Sequence, residues 1–307
     1  MKVLITGANG MVGRNLAERL ADNNNYELLV PRRHDLNLLE KSAVEAYMLD
    51  HRPDFIFHLA AKVGGIQANI SKPVEFFVEN MLMSTHVIMS AVEAEVKQLI
   101  NLGSSCMYPR NREVLCEADI LTGELEPTNE SYALAKISAT QLCRYLSDSK
   151  KLYYKTVVPC NLYGRYDHFD ENRSHMIPAV IRKIHEAKKE NISRVSIWGD
   201  GKSRREFMYV DDLVDFLLLA MTDIKKLPNL VNAGLGFDHS IDDYYQMAAV
   251  VVGYEGRFLH DISKPSGMKK KMLDVSVSHK LGWKAKTPLE DGMKKLYHYY
   301  LNEVVND

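Results

Sequence analysis

The sequence lacks the features that mark secreted, membrane-spanning and metal-binding proteins. Its 307 residues include only 4 cysteines and no Cys-x-x-Cys pair, so neither a disulfide framework nor a cysteine metal site is indicated. No uninterrupted apolar stretch reaches the length that spans a bilayer. The apolar run at residues 3–5 is too short for the core of a signal peptide. We therefore expect a cytoplasmic protein with reduced thiols and no metal.

An excess of charge of either sign is also missing. Lysine and arginine total 39 against 40 aspartate and glutamate residues, so we expect neither a nucleic-acid nor a membrane partner. Hydrophobic residues make up 46% and charged residues 26%, which is the composition of an ordinary globular protein. A chain of this length forms one large or two small domains.

Short apolar runs alternate with segments of helical period, which is the signature of a parallel sheet covered by helices. The pattern predicts an α/β fold of the doubly wound Rossmann type, with a smaller α/β lobe toward the carboxyl end. The predicted strands cover residues 3–6, 54–59, 98–102, 154–158, 194–198 and 231–233. The predicted helices cover residues 11–22, 74–95, 132–148, 176–189, 211–221, 241–252 and 289–304.

Two helices carry more specific expectations. Asp211 is predicted to cap the helix that it opens, because its carboxylate can accept the first free N–H groups. The apolar residues of the helix at 132–148 cover more than one face. One face could contact a second copy of the chain in a homodimer, although a wholly intrachain contact fits the pattern equally well.

A glycine-rich loop follows the first predicted strand and opens the first predicted helix. The segment from Gly7 to Gly13 reads GANGMVG, so the glycines have a GxxGxxG spacing. Glycine permits a tight turn and a close approach to a pyrophosphate, and the helix amino end offers free N–H groups to the phosphates. The alternative is a plain strand-to-helix turn, but the position at residue 7 favours a dinucleotide site.

The residues expected near the adenosine ribose are basic. A carboxylate there would bind a free 2′-hydroxyl and favour NAD, whereas this sequence has Arg32 and Arg33. Two guanidinium groups suit a 2′-phosphate, so we predict NADP(H), with solvated surface arginines as the alternative. The predicted NADP-binding domain comprises residues 1–164 and about 206–235, and the predicted substrate lobe about 165–205 and 236–307.

Tyr132 and Lys136 stand one helical turn apart, so their side chains share a face. An ammonium beside a phenol lowers the pKa of the phenol, which suits a proton donor to a ketone oxygen. Ser104 follows the third predicted strand, where open α/β sheets bind ligands, and could hold that oxygen. Strand-end capping is the alternative for Ser104 and Ser105. Cys106 lies two residues beyond Ser104, so an extended strand would point both side chains to one side.

These features, in this order, resemble the extended short-chain dehydrogenases/reductases and, more specifically, the GDP-L-fucose synthases (GDP-4-keto-6-deoxymannose epimerase-reductases). The resemblance covers nearly the whole chain. It rests on LAAKVGGI at 59–66, GSSC at 103–106, LEPTNE at 125–130, NLYG at 161–164, SHMIP at 174–178, and REF at 205–207 ahead of VDD at 210–212.

The resemblance implies roles for particular residues. Ser104, Tyr132 and Lys136 would form the catalytic triad, and Cys106 and His175 would move protons at the carbons beside the keto group. The predicted cofactor contacts are Gly7, Gly10, Met11, Val12, Gly13, Arg32, Arg33, Ala60, Tyr132, Lys136, Pro159 and Leu162. The predicted substrate contacts are Asn161, Lys183, Trp198, Arg205 and Lys271. For Cys106 the alternative is a small buried residue that fills a strand end.

The sequence departs from the pattern of the fucose synthases at two positions. Asn9 stands where that family often has an arginine near the 2′-phosphate, and Lys183 where it commonly has a substrate-binding arginine. An ammonium cannot reproduce a bidentate guanidinium clamp, so the sugar or diphosphate contact is in question.

The resemblance thus implies NADPH-dependent reduction of the C4 keto group of a GDP-linked 4-keto sugar, with or without C3/C5 epimerisation, for a surface polysaccharide precursor. A C4 reductase of a GDP-4-keto-heptose or 6-deoxyheptose without epimerisation is the alternative. A 4,6-dehydratase is disfavoured because Ser105 and Cys106 occupy the place of its acid pair. A non-catalytic dinucleotide sensor tends to lose the tyrosine or lysine, and this chain has both.

Overall fold

The strands form one large parallel sheet and several smaller ones. The computed structural model describes residues 1–170, 174–263 and 269–305. In these residues the strands are β1 (Lys2–Thr6), β2 (Glu27–Leu29), β3 (Phe55–His58), β4 (Gln98–Leu102), β5 (Val114–Leu115), β6 (Tyr153–Pro159), β7 (Asn161–Tyr163), β8 (Arg194–Trp198), β9 (Arg204–Arg205), β10 (Phe207–Tyr209), β11 (Leu230–Ala233), β12 (His239–Ser240), β13 (Arg257–Asp261) and β14 (Lys270–Leu273).

The helices alternate with the strands of the large sheet and then dominate the carboxyl-terminal half. They are α1 (Met11–Ala21), α2 (Lys41–His51), α3 (Ile66–Ser71), α4 (Pro73–Glu93), α5 (Glu130–Lys150), α6 (Met176–Lys189), α7 (Val210–Thr222), α8 (Ile241–Val252), α9 (Ser276–Lys280) and α10 (Leu289–Tyr300). In the part of the chain that the structure describes, none of them combines the length and the apolar character needed to cross a bilayer.

The large sheet has the strand order β11-β6-β4-β3-β1-β2, and neighbouring strands are parallel. Its inner strands are apolar on both faces because helices cover both sides. Leu4 and Ile56 pack into one core cluster, whereas Ile5 and Phe57 pack into the other. The direction of winding reverses between β1 and β3, so their carboxyl ends open a crevice there. The predicted Rossmann-type α/β fold is confirmed.

A second region of the core joins α6, α8 and α10. Ile181 and Ile184 on α6, Ala248 on α8 and Leu296 on α10 are all fully buried in it. The parallel pair β8–β13 belongs to the same carboxyl-terminal half, and the small sheet β12-β9-β14-β5 adds the strand β5 from the amino-terminal half. The structure matches the predicted bounds of α6, β8 and α8, and the smaller α/β lobe is present. The residue numbers at which the two domains divide stay a prediction.

Some local predictions are wrong. The strand β2 and the helix α2 were not predicted, because β2 is only three residues long and none of them is fully buried. Asp211 does not cap α7: the strand β10 runs directly into a helix that begins at Val210, which leaves Tyr209 at the cap position and Asp211 in the first turn. The last helix ends at Tyr300 and continues as a wider π turn over Leu301–Val305.

Candidate active site

One cavity of about 810 Å³ follows the carboxyl ends of β1, β3, β4 and β6. It brings together most of the residues that the sequence predicted for the site. The predicted residues in its wall are Gly7, Gly10, Met11, Val12, Gly13, Arg33, Ala60, Ser104, Cys106, Tyr132, Pro159, Asn161, Leu162 and His175. The predicted residues outside this wall are Arg32, Lys136, Lys183, Trp198, Arg205 and Lys271.

The glycine loop forms one end of the cavity, against the residues that follow β3. Gly7 has a φ of +75°, and a Cβ atom there would lie 2.7 Å from the backbone nitrogen of Ala60. A Cβ atom at Gly13 would lie 2.2 Å from the carbonyl oxygen of Gly7. The first turn of α1 has neither a side-chain cap nor an acidic residue, so its N–H groups face the cavity unopposed. This arrangement fits the pyrophosphate of a dinucleotide.

Only one of the two predicted arginines reaches the cavity. Arg33 lies in its wall, together with Asn9 from the glycine loop. Arg32 is exposed, and its backbone forms a turn in which the carboxylate of Asp35 accepts the Arg32 N–H at 2.9 Å. Of the two arginines, only Arg33 is therefore placed where it could pair with a 2′-phosphate in this cavity.

Ser104 and Tyr132 meet at the end of β4. The Ser104 hydroxyl lies beside the Tyr132 phenol and acts to lower its pKa. The chain turns into a short 3-10 helix at Ser105–Met107, and the Ser104 hydroxyl accepts the N–H of Cys106 at 3.2 Å. The expectation of an extended strand through Ser104 and Cys106 is therefore wrong, because this turn replaces the strand. The turn nevertheless keeps both side chains in the cavity wall.

Burial dominates the electrostatics of the tyrosine and lysine pair. Burial raises the pKa of the Tyr132 phenol, Cys106 raises it further, and the neighbouring Ser104 hydroxyl opposes them. Lys136 is 2% exposed, and burial lowers the pKa of its ammonium to about 8. Its Nζ donates to the carbonyl oxygen of Leu102 at 2.8 Å and lies 6.0 Å from the centre of the Tyr132 ring.

The expectation that Lys136 lowers the pKa of Tyr132 is therefore wrong for this structure. The ammonium donates to the Leu102 carbonyl, and burial raises the pKa of the phenol without a resolved contribution from Lys136. A phenol that holds its proton still suits a proton donor.

The sulphur of Cys106 is contacted by two donors that the sequence did not predict for it. Nδ2 of Asn129 lies 3.2 Å from Sγ, and Nζ of Lys271 lies 3.7 Å from it. Asn129 precedes α5 and belongs to the LEPTNE segment. In the sequence this segment indicates the family resemblance but gives no role for Asn129. Lys271, predicted to bind the substrate, is placed beside Cys106 by β14, which lies 165 positions further along the chain.

His175 stands at the start of α6, in contact with a second residue that sequence reasoning missed. Its Nδ1 lies 3.2 Å from Oδ1 of Asp167, and that hydrogen bond raises the pKa of the imidazole while burial opposes it. Asp167 lies in the polar loop after β7. An acidic residue in such a loop does not by itself indicate a functional site. Asp167 and His175 come into contact only because the loop folds back on itself.

The predicted substrate residues other than Asn161 lie on the carboxyl-terminal strands and on α6. Arg205 and Lys271 are register partners on the parallel strands β9 and β14. Trp198 ends β8 and is 63% exposed. Nζ of Lys183 donates to the carbonyl oxygen of Ser196 on the same strand as Trp198.

A buried carboxylate ties these strands to the cavity. Glu206 is 1% exposed, and burial raises its pKa to about 7. It accepts the N–H of Leu273 at 2.8 Å and that of Gly236 at 3.0 Å, while its carbonyl oxygen accepts Nδ2 of Asn161 at 2.9 Å. Glu206 therefore fixes Asn161 and the strand that carries Lys271.

Comparison with known proteins agrees with this arrangement. The NAD dependent epimerase/dehydratase family matches residues 3–234. A GDP-L-colitose synthase of Yersinia pseudotuberculosis is 49% identical over 309 residues, covering 100% of both chains. A GDP-L-fucose synthase of Escherichia coli (strain K12) is 39% identical, covering 98% of this chain and 96% of the other.

The fold agrees with a solved relative of similar length. A GDP-mannoheptose C4 reductase from Campylobacter jejuni, solved with NADP bound, superposes with a TM-score of 0.91 at 31% identity, covering 98% of each chain. Because the family pattern spans more than half of the chain and relatives match its full length, the chain belongs to the NAD dependent epimerase/dehydratase family, among its GDP-sugar synthases and reductases.

Proposed function

We propose that the protein is an NADPH-dependent oxidoreductase that reduces the C4 keto group of a GDP-linked 4-keto sugar and also epimerises the sugar beside that group. The observation that carries the proposal is the adjacent pair of hydroxyl groups on Ser104 and Tyr132, which shares one cavity with Cys106, His175 and a glycine loop. A hydroxyl pair suits a ketone oxygen, and a thiol with an imidazole suits the carbons beside it.

The cavity fits NADP(H). The glycine loop and the open amino end of α1 would hold the pyrophosphate, Arg33 would pair with the 2′-phosphate, and Pro159 and Leu162 would border the nicotinamide half. When bound, NADPH supplies the hydride for C4. The proposed cofactor domain comprises residues 1–164 and about 206–235, and the proposed substrate lobe about 165–205 and 236–307.

For the reduction, Tyr132 would give its proton to the ketone oxygen while Ser104 donates a hydrogen bond to the same oxygen. Burial, which raises the pKa of Tyr132, keeps the phenol protonated until the oxygen becomes strongly basic. Lys136 would hold the strand end through Leu102 and supply positive charge as the phenolate forms.

For the epimerisation, Cys106 would remove a proton from a carbon next to the ketone, and His175 would return one from the other side of the sugar. Such a carbon is acidic because the ketone stabilises the enolate. Two proton-transfer groups are needed, because inversion requires removal from one face and delivery to the other. Asn129 and Lys271 support this proposal because both place donors at the Cys106 sulphur.

The GDP-sugar would lie between the cavity and the carboxyl-terminal lobe, held by Asn161, Lys183, Trp198, Arg205 and Lys271. The relatives named for colitose and for fucose support a 4-keto deoxyhexose. Colitose is the 3-deoxy counterpart of fucose, so a colitose precursor calls for inversion at C5 alone. The alternative is a GDP-4-keto-heptose C4 reductase without epimerisation, which the solved heptose reductase supports.

Product analysis by NMR in deuterated water tests the proposal. The enzyme is incubated with NADPH and, separately, with GDP-4-keto-6-deoxymannose, its 3-deoxy counterpart and a GDP-4-keto-heptose. We expect a reduced C4 with one of the deoxyhexoses, and solvent deuterium at C5 or at both C3 and C5. Reduction without deuterium would leave a simple C4 reductase, and no reduction of any of them would refute the proposal.

The setting of the reaction is also part of the proposal. A GDP-linked deoxy sugar is the donor from which surface polysaccharides such as capsules are assembled, and its synthesis belongs in the cytoplasm, where the nucleotide sugars are made. Free thiols at all four cysteines agree with that compartment. We propose further that the protein acts as a homodimer through α4 and α5.

A further inference from the structure

The imidazole of His175 rests on a carboxylate that is almost completely enclosed. The His175 side chain is half exposed, whereas the side chain of Asp167 is 2% exposed. Oδ1 of Asp167 lies 3.2 Å from Nδ1 of His175 and accepts the N–H of His168 at 2.8 Å. Among the residues that the structure describes, Oδ2 of Asp167 has no hydrogen-bond partner. Burying a carboxylate this completely costs free energy of folding unless a partner stabilises its charge.

A turn that is anchored to α1 places this carboxylate. The N–H of Asp167 donates to the carbonyl oxygen of Gly164 at 3.3 Å, and Tyr166 between them has a φ of +69°. The Tyr166 phenol donates to Glu18 on α1, and the guanidinium of Arg14 lies 3.8 Å from the centre of its ring. The carboxylate is therefore positioned by the same helix whose amino end faces the proposed cofactor.

We propose that Asp167 is the positioning residue for His175, which it holds in the Nδ1–H tautomer and stabilises as the imidazolium, so that Nε2 faces the sugar as a proton donor. A carboxylate is an acceptor only, so this contact requires the proton on Nδ1. The inference rests on the proposed function, because it concerns the epimerisation half of that reaction.

The electrostatic balance at His175 supports this role. The hydrogen bond that His175 donates to Asp167 raises the pKa of the imidazole, burial lowers it, and the charge of Asp167 raises it. The positive end of the α6 dipole also disfavours a cation at this position. The other titratable groups in the wall of the same cavity are Cys106, Tyr132, Cys160, Tyr166, His168, Lys62, Glu79 and Arg33. Among the described groups, Asp167 is the one that raises the pKa.

The proton balance follows from this assignment. The Cys106 thiolate forms an S–H bond as the C–H bond beside the ketone breaks, and the electron pair passes to the enolate. The Nε2–H bond of the imidazolium then breaks as the new C–H bond forms on the opposite face. Cys106 ends as a thiol and His175 as a neutral imidazole, and exchange with water restores both.

The variant Asp167→Asn tests the proposal in the full-length enzyme, because an amide keeps the volume but loses the charge. We expect NMR titration of histidine-labelled protein to show a lower pKa for His175, with His175→Gln used to assign its signal. We also expect deuterium incorporation at pH 7.5 to fall about tenfold or more, and to recover as the pH is lowered. Oxidation of the C4 hydroxyl by NADP⁺ should change less than threefold. Asp223→Asn, which removes a surface carboxylate near Lys226, is the control.

The outcomes separate this inference from the proposed function. If wild-type enzyme incorporates no deuterium, the epimerisation fails, while the titration of His175 still tests its pairing with Asp167. If the wild type exchanges and Asp167→Asn leaves both the pH profile and the titration unmoved, the positioning role is refuted. An equal loss of exchange and of C4 oxidation, with a lower melting temperature and an unmoved pH profile, would also refute it in favour of a purely structural role.

Discussion

At the scale of single residues, the proposed mechanism assigns two kinds of proton transfer to different side chains. The Tyr132 phenol lies beside Ser104, whereas Cys106 and His175 each have a polar partner of their own, Lys271 and Asp167. Reduction and epimerisation should therefore respond to different substitutions. In the proposed mechanism the hydroxyl pair serves the ketone oxygen, and the thiol and imidazole serve the carbons beside it.

Tyr132→Phe should abolish the reduction and leave cofactor binding nearly intact. Phenylalanine fills the same volume but has no proton to give, and loss of a general acid typically costs about a hundredfold or more in rate. Steady-state reduction and fluorescence titration with NADPH measure the two properties. A variant that reduces the substrate within a few-fold of the wild-type rate would remove Tyr132 from the mechanism.

Cys106→Ser should slow solvent exchange beside the ketone about a hundredfold while oxidation of the C4 hydroxyl by NADP⁺ changes only a few-fold. A serine hydroxyl is a far weaker acid than a thiol, so the base is lost and the size of the side chain is nearly kept. Deuterium incorporation followed by NMR provides the measurement. Cys116→Ser is the matched control, because Cys116 contacts Asp274 at 3.6 Å and is not in the cavity wall. Equal losses in both reactions would contradict the assignment.

At the scale of elements, the sequence predicted those parts whose signal is local. The bounds of α6, β8 and α8 follow from hydrophobic period and flanking polar residues, and the structure reproduces them. The glycine loop was recognisable because its spacing and its place between strand and helix lie within one short segment. A property that a few neighbouring residues determine can be read from those residues alone.

The remaining features depend on contacts that the local sequence does not encode. The 3-10 turn at Ser105–Met107 replaces a plausible continuation of β4. The contact of Lys271 with Cys106 joins residues 165 positions apart, and β2 is a short strand that pairing with β1 stabilises. The Asp167 carboxylate reaches His175 only because the loop turns back after Gly164. Such contacts appear only when the strands and loops are assembled.

We expect the segment between β2 and α2 to set the preference for NADPH over NADH. Arg33→Ala should raise the KM for NADPH about tenfold or more and leave the KM for NADH nearly unchanged, because a hydrogen bond to a charged group is worth about 1.5–3 kcal/mol. Arg32→Ala is the matched control and should stay within about twofold, since Arg32 is exposed and does not line the cavity. Steady-state kinetics with both cofactors measure these KM values. Wild-type enzyme that uses NADH as efficiently as NADPH would contradict the prediction.

At the scale of the whole molecule, an apolar surface remains uncovered on the paired helices α4 and α5. Val74, Val78 and Leu82 are spaced four residues apart on α4 and are 69%, 41% and 39% exposed. Leu134 and Tyr145, three turns apart on α5, are 39% and 58% exposed. Residues at these spacings share one face of a helix, and α4 packs along α5. An apolar face of this extent is typical of a contact surface.

We therefore expect a dimer in which α4 and α5 meet the same helices of a second copy across a two-fold axis, as closed assemblies of identical chains commonly do. Light scattering after size exclusion should give twice the 35.0 kDa of one chain. Leu82→Glu should shift the mass toward that of one chain, because two carboxylates would be buried near the axis without partners. Val250→Glu is the matched control, since Val250 is 69% exposed on α8, away from α4 and α5. Wild-type protein that runs as a single chain at micromolar concentration, or a Val250→Glu variant that dissociates as readily as Leu82→Glu, would contradict this interface.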